Sequence, residues 1–514
     1  MVTATPGTGT IPEGSTEQWK DKKRYLWMIG LVIPSLAIAV IIAYLYLGWS
    51  WMVWIGPILI LGIVPAIDLV VGLDQENPPD DLIEALERDK YYRWITYLYL
   101  PIQYLGLWGA MAIVVGINPI HAITDVLHLT DWLGGMSWSK PLVVDHLDLS
   151  LISKIGLSIS IGAVGGIGIN TAHELGHKKE ANERWLSKIA LAQSCYGHFY
   201  IEHNRGHHVR VATPPDPASA RLGENFYQFW PRTVSGSLKS AWNLEKKRYA
   251  RKNTHPFHIG NEVLNAWVMS LVLYLGLVAL VWNAPRAGGW NGFAITPFFL
   301  IQAVMGFSLL EVINYMEHYG MKRQLVGQEG RQRYERVNPS HSWNSNNIAT
   351  NVLLYHLQRH SDHHANPTRR YQALRDYKES PVLPTGYAGM IVLTIVPAIW
   401  RRVMDQRVLN HFDGDITLAN ISPRKRDKYL AKYPAPVHEH DETLDDATAH
   451  EFDNEVLVAR CPGCSYVYEV AAGDEHEGFA AGTAWKDIPD SWCCPDCGVR
   501  EKVDFVPIEK VEVA

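Results

Sequence analysis

Long apolar runs alternate with polar stretches over roughly the first 310 residues. Runs of about twenty residues, long enough to cross a bilayer as helices, occupy about residues 25–47, 51–72, 94–117, 150–170, 261–282 and 293–314. Tyr44, Tyr46, Trp49, Trp51 and Trp54 gather where the first two runs meet, as aromatic residues do at a membrane–water interface. The pattern predicts about six transmembrane helices in a lipid bilayer. A shorter apolar run, Tyr387 to Ile399, predicts an interfacial or buried helix.

Beyond the last long run the pattern changes. From about Asp405 to Asn454 it is charged and irregular, with Pro434-Ala435-Pro436 and an acidic run from Glu439 to Asp446, which predicts a linker and C-terminal extension. Residues 455–514 then form a short segment with aromatic residues and paired cysteines, too small to fold on apolar burial alone. It needs a metal. The chain therefore divides into a polar lead (1–24), a membrane domain (25–404), the extension (405–454) and a small C-terminal domain (455–514).

Basic residues set the orientation. Lys20, Lys22, Lys23 and Arg24 precede the first run, whereas the candidate outer loops carry only Lys140 and Arg286, so the positive-inside rule places the N terminus in the cytoplasm. Counting spans puts residues 73–93, 171–260 and everything after 315 on that same side. The apolar first run follows a polar lead and is long, so no cleavable signal is needed.

Composition adds little to this. A mean hydropathy of −0.08 averages two unlike parts, and a net charge of −6 argues against nucleic acid as a partner. Four of the six cysteines form two Cys-x-x-Cys pairs, which suits metal binding in a reducing compartment better than disulfides. Cys195 and Cys493 are left without a role.

The chemistry lies in the histidines. NTAHELGHKK (170–179) contains His-Glu-x-x-His, a zinc-protease signature when it lies on a helix: His173 and His177 share one helical face and can share a metal. EHNRGHH (202–208) repeats the four-residue spacing with His203 and His207, with His208 beside them. NYMEHYG (314–320) supplies His318, and LQRHSDHHA (357–365) supplies His360, His363 and His364. Nine histidines are too many for one catalytic zinc with about three protein ligands. Two ions are the natural answer, and neutral imidazoles accept iron, copper, zinc or nickel. The acidic neighbours Glu174, Glu202, Glu317 and Asp362 are candidate partners that orient imidazoles.

CPGC (461–464) and CPDC (494–497) form a tetrathiolate set that suits zinc or iron. The run GTAWKDIPDSWCCPDCG closely resembles rubredoxin, over about residues 456–507. That resemblance implies one iron held by Cys461, Cys464, Cys494 and Cys497 and acting as a one-electron carrier. Ser465 departs from it, standing where rubredoxins usually have glycine, which bears on backbone geometry beside a sulfur.

An electron carrier fused to the histidine motifs argues against a protease, because peptide hydrolysis moves no electrons. A histidine-rich metal transporter also fits poorly, since the only carboxylates near the middle of the runs, Asp68 and Glu311, lie close to helix ends. Oxygenase or desaturase chemistry remains. From about Lys20 to Arg407 the chain resembles the membrane-bound alkane 1-monooxygenases fused to a rubredoxin: besides the histidine motifs it carries YGHFYIEHNRGHH, DPASARLGE, SWNSNNIATN and LPTGYAG. Membrane fatty-acyl desaturases and hydroxylases share clustered histidines, but NYMEHYG and the rubredoxin point away from them.

The resemblance implies an all-α polytopic membrane protein, with about six transmembrane helices and a cytoplasmic helical catalytic cap, plus a small β-rich rubredoxin domain. It implies two irons on the nine histidines, O2 as co-substrate, terminal hydroxylation of medium- to long-chain n-alkanes, and electrons from an NAD(P)H-dependent rubredoxin reductase. It also implies residence in the bacterial inner (cytoplasmic) membrane, with the active site and rubredoxin on the cytoplasmic side. In this family a side chain on the second membrane helix is thought to limit alkane length, which makes Ile60 the candidate tunnel residue here. Finally, residues 455–512 carry twelve Asp or Glu against five Lys or Arg. They are expected to dock against Lys178, Lys179, Arg205, Lys246, Lys247 and Arg251.

Overall fold

The computed structural model of the chain describes residues 19–144, 146–282, 288–327, 332–434, 436 and 456–508. Arg286, Asp145 and the acidic run Glu439 to Asp446 lie outside the described residues, as does most of the polar lead.

Six helices are long and apolar enough to cross a membrane: α1 (Leu26–Leu47), α2 (Ser50–Val71), α3 (Lys90–Val114), α4 (Leu151–Gly176), α8 (Glu262–Leu280) and α9 (Asn291–Glu317). Between α4 and α8 stand α5 (Ala181–Ala192), α6 (residues 199–210) and α7 (Phe226–Arg251). After α9 come α10 (Ile348–Leu353), α11 (His360–Ala365), α12 (Tyr387–Ile395) and α13 (Pro397–His411).

α4 is the central span. The side chain of Ser150 caps its first turn by accepting from the Ser153 amide. The apolar run ends near residue 170, yet the helix continues to Gly176 because its polar last turns are buried in protein. Asn170 donates to the Leu354 carbonyl at 2.7 Å and Ser187 to the Ala172 carbonyl at 2.6 Å. α4 also packs closely on α9. A Cβ on Gly162 would stand 2.6 Å from the Gln302 carbonyl, the close backbone approach that small residues permit in membranes. Gln103 donates to Gln193 (2.7 Å) and Gln193 to Gln302 (3.2 Å), tying α3, the end of α5 and α9 together.

The short α11 is fixed from its start. The side chain of Arg359, wholly buried, donates to the carbonyls of Leu374 (2.6 Å) and Glu76 (3.0 Å) and pairs with Asp74 at 3.3 Å. The expected helix over 387–399 is instead two helices. Pro397 lacks an amide hydrogen and biases the preceding residue toward extended backbone, and Val396 lies at φ −113°, ψ 93°.

Residues 405–433, expected to belong to the extension, pack on the membrane domain. Asp405 accepts from Tyr319 (2.8 Å) and Tyr429 (2.5 Å), the Leu222 amide donates to the Asn420 carbonyl at 2.7 Å, and Ile416, Ala419 and Ile421 are buried. The charge pattern hid these few buried positions.

The C-terminal domain holds a three-stranded antiparallel sheet, β3 (Val458–Arg460), β4 (Val467–Glu469) and β5 (Val506–Pro507), in the order β4-β3-β5. A short hairpin, β1 (Leu325–Val326) with β2 (Arg333–Tyr334), precedes it in the membrane domain. Tyr468, Phe479, Trp492 and Phe505 pack around the four buried cysteines. Ser465 lies at φ +64°, the left-handed conformation that favours glycine.

Candidate active site

All nine motif histidines are buried, and they gather into two groups. The candidate ligand nitrogens of His173, His177, His203, His208 and His363 lie within 4.8 Å of one another, and so do those of His207, His318, His360 and His364.

Four-residue spacing pairs His173 with His177 and His360 with His364, but it does not pair His203 with His207. The backbone over His203–His207 is a π turn, whose i→i+5 geometry brings i and i+5 into line. His203 and His208 therefore approach to 3.0 Å between Nε2 atoms, and His207 turns toward the other group. α11 is divided as well. Nε2 of His363 stands 3.2 Å from that of His208, while His364 and His360 approach to 2.8 Å and His360 and His318 to 3.3 Å.

Nitrogens about 3 Å apart suit imidazoles that share one ion at a metal–nitrogen distance of about 2.0–2.1 Å. The Nε2 atoms of His173, His177 and His207 are buried with no protein partner, which would be costly without a metal. Burial, followed by the mutual influence of the imidazoles, pushes His177, His203, His208, His360, His363 and His364 well below the ordinary histidine range. They are held neutral, the ligating form. The residues fit two metal ions.

Of the four acidic neighbours, only Glu317 touches an imidazole: it stands 3.1 Å from His360 Nε2 and accepts from the Tyr387 hydroxyl at 2.7 Å. Glu174 instead meets Lys178 (3.0 Å) and the Tyr371 amide (3.2 Å). Glu202 meets Arg210 at 2.8 Å, and burial pushes its carboxyl up to about 8. Asp362 accepts from Arg369 and the Arg375 amide. These three are corrections to the expected orienting role, because helix-neighbour spacing turned their carboxylates outward from the rings.

The sequence reading missed Asp216, which stands 2.9 Å from His207 Nδ1 and accepts from Ser219 at 2.6 Å. Burial alone would raise its carboxyl, but His207 and Ser219 hold it low. Ser342 Oγ lies 3.5 Å from His318 Nδ1. Both belong to motifs already singled out, DPASARLGE and SWNSNNIATN, which stand close in sequence to histidines of the four-member group.

An apolar cavity lies between α1, α2, α4 and α12. Ile60 lines it, from a second π turn over Leu59–Ile63. Asn170, Thr350 and Tyr387 line it too, and the Tyr387 hydroxyl is one hydrogen bond from Glu317.

The cysteine sulfurs approach in pairs, Cys464–Cys494 at 3.4 Å and Cys461–Cys497 at 3.7 Å, as four thiolates around one ion would. The domain sits on the histidine face of the membrane domain. Glu477 meets Arg251 (3.2 Å) and Arg205 (3.7 Å), Asp496 meets Arg184 (3.8 Å), and the Arg336 Nε donates to Asp504 at 2.9 Å. Lys179 donates to the Cys464 carbonyl and to Ser465 Oγ. Of the expected basic partners, Arg205, Arg251 and Lys179 meet the domain. Lys178 is instead buried against Glu174, and Arg184, Arg336 and Arg248, which donates to the His476 carbonyl at 3.5 Å, were not foreseen.

Comparison with known proteins agrees with this site. Residues 152–394 match the fatty acid desaturase family model and residues 458–505 the rubredoxin model, which defines a membrane histidine-cluster oxidoreductase joined to an electron carrier. The alkane 1-monooxygenase of Acinetobacter baylyi is 42% identical over 423 residues, 80% of this chain and 91% of that protein. The alkane 1-monooxygenase of Pseudomonas putida is 39% identical over 82% of this chain and 94% of its own length. A more distant relative, the xylene/toluene monooxygenase hydroxylase component of Pseudomonas putida, is 25% identical over 74% of this chain. The chain belongs to the alkane 1-monooxygenase family and carries a C-terminal rubredoxin domain.

Proposed function

We propose that the chain hydroxylates the terminal methyl of medium- to long-chain n-alkanes: alkane, O2, two electrons and two protons give 1-alkanol and water. The observation that carries this reading is the juxtaposition of two buried histidine groups, an apolar cavity and a docked rubredoxin in one chain related to alkane 1-monooxygenases. His173, His177, His203, His208 and His363 would hold one iron, and His207, His318, His360 and His364 the other. Bound there, the pair of irons supplies the activation of O2.

The chain's own residues do the rest. The apolar cavity aligns a substrate that has no polar handle. Asp216, on the Nδ1 of His207, orients that ring, while Glu317 stands at the His360 Nε2 that faces His318 and His364, on the metal side of the ring. Tyr387 links the cavity wall to Glu317. Electrons come from NAD(P)H through a rubredoxin reductase and the cysteine-held iron. The protein resides in the bacterial inner membrane with the histidine face and rubredoxin toward the cytoplasm, in line with Lys20, Lys22, Lys23 and Arg24 before α1.

Ile60 would set the far end of the tunnel, leaving room for chains of roughly ten carbons or more at about 0.8 kcal/mol per buried methylene. Gas-chromatographic product analysis tests both statements: purified protein with reductase and NADH is given a ladder of n-alkanes, wild type beside Ile60→Trp. 1-Alkanols that require O2 and reductant are expected, and the variant should lose the longest substrates while keeping the short ones. No alcohol from any alkane would overturn the function, and an equal loss at every length would remove Ile60 from the tunnel.

A further inference from the structure

The two cysteine loops of the rubredoxin domain meet different surroundings. In Cys494–Cys497 both cysteines are buried along with Gly498, and Pro495 and Asp496 are half-buried. This loop faces the membrane domain: a Cβ on Gly498 would stand 2.2 Å from the Asn204 carbonyl and 3.6 Å from His208 Cβ. In Cys461–Cys464 the sulfurs are equally buried, but Pro462 and Gly463 between them are exposed. A Cβ on Gly463 would meet only the side chain of Arg500 (3.3 Å), in its own domain, and the sulfur of Cys461 (3.8 Å). The Gly463 amide itself stands 3.4 Å from that sulfur. Lys179 holds the Cys464–Ser465 end of this loop and leaves its tip open.

We propose that electrons cross the docked rubredoxin domain from one loop to the other: a reductase flavoprotein seats on the exposed Pro462–Gly463 tip, and electrons leave through Gly498 toward the five-histidine group. The proposal rests on the reading of the chain as a rubredoxin-fed hydroxylase. At the tip, one electron would pass from the donor's reduced flavin to the oxidised iron that Cys461, Cys464, Cys494 and Cys497 would hold. The donor is oxidised by one electron and no bond is made or broken. Only one residue's thickness of backbone separates the Cys461 sulfur from a partner there. Arg460 and Lys179, both exposed, and the half-buried Arg500 flank the tip, so the donor should present an acidic rim. A donor that used the Cys494 loop would first have to break the contacts of Glu477, Asp496 and Asp504 with Arg205, Arg251, Arg184 and Arg336, and would have to do so twice per turnover.

The test uses the full chain with Gly463→Glu and, separately, Gly498→Ala. The first places an acid where only the flexible Arg500 side chain must yield. The second strains a residue at φ +66° and wedges the buried loop off Asn204. The probe is a purified NADH-dependent flavoprotein rubredoxin reductase. Its binding is measured on protein whose cysteine site is loaded with redox-inert zinc, and its rate of reducing the iron-loaded site is followed in stopped flow by bleaching of the iron–thiolate absorption. Gly463→Glu should weaken binding and slow reduction at least tenfold, and Gly498→Ala should leave both within twofold. After chemical reduction with dithionite, reoxidation of the cysteine site by the membrane domain should slow in Gly498→Ala and not in Gly463→Glu. Reduction indifferent to Gly463→Glu, or accelerated in Gly498→Ala, would overturn the proposal, because the donor would then use the loop that docking covers. Arg500→Glu is a second variant at the tip and must slow the same step if Gly463→Glu disturbs the fold. Binding and reduction are read without alkane, so failure of the hydroxylase reading would show in product analysis alone.

Discussion

The two histidine groups share α6 and α11 but have different neighbours. Of the two groups, as described, only the four-histidine one has carboxylates against its imidazoles, Asp216 at His207 and Glu317 at His360. That group also adjoins the cavity, through Tyr387. The five-histidine group has one more imidazole and no such carboxylate, and it adjoins the rubredoxin through His208 and Gly498. A nearly symmetric set of ligands is thus asymmetric in surroundings, with substrate space on one side and the electron carrier on the other. Asp216 sits on the far nitrogen of His207, which makes that imidazole a stronger ligand, while Glu317 stands at the His360 Nε2 that faces the other rings, so the two ions should differ in how firmly they are held.

The largest expected effect comes from removing a ligand on either side. With one ion for each of the three metal groups, His208→Ala and His364→Ala should each lower bound iron by one per chain and cut turnover by at least about a hundredfold, the upper end of what merely orienting partners cost. Elemental analysis beside turnover reads this out. If either variant kept both its full iron and its full turnover, that histidine would not be a ligand and the division into five and four would fail.

A smaller effect separates carboxylates that touch rings from those that do not. Asp216→Asn keeps the shape of the side chain but weakens its hold on His207, and should cost about 10–100-fold in activity or metal retention. Glu202 touches no imidazole; its buried carboxyl is pushed up by burial and meets Arg210 instead. Glu202→Gln keeps the shape of the side chain and should cost less than about threefold. Equal losses at pH 7 would mean that contact with an imidazole is not what distinguishes the two groups.

How much of this the sequence disclosed follows from the range of the interactions. Spans, histidine motifs and cysteine loops are local patterns of apolar length and fixed spacing, and all six spans stand close to where the hydropathy placed them. The pairing of His203 with His208 was not legible, because it depends on one π turn that no spacing rule anticipates. Asp216 and Ser342 were visible only as members of motifs, since their contacts are set by loops returning to the site. Residues 405–433 read as a linker because a handful of buried side chains, Ile416 and Tyr429 among them, stand in a charged background.

The smallest effect belongs to the electron side. Glu477 is buried between Arg205 and Arg251, with His476 beside it at 3.2 Å. Burial alone would raise its carboxyl, but Arg205, His476 and Arg251 hold it down at about 2. Its contribution to docking is therefore complete above the ordinary value of 4.5 and is lost only as pH falls toward 2. The two arginines are about a quarter exposed, so solvent screens the contact, and roughly 0.5–1 kcal/mol is appropriate. Glu477→Gln should then slow electron transfer from the cysteine site to the membrane domain by about two- to fivefold, with iron content and the preference for terminal hydroxylation unchanged. Raising salt should shrink the difference, and stopped-flow reoxidation of the rubredoxin iron reads that dependence. A change in the position of hydroxylation, rather than in its rate, would show that the rubredoxin face and the substrate face are coupled more tightly than the separation of the two histidine groups implies.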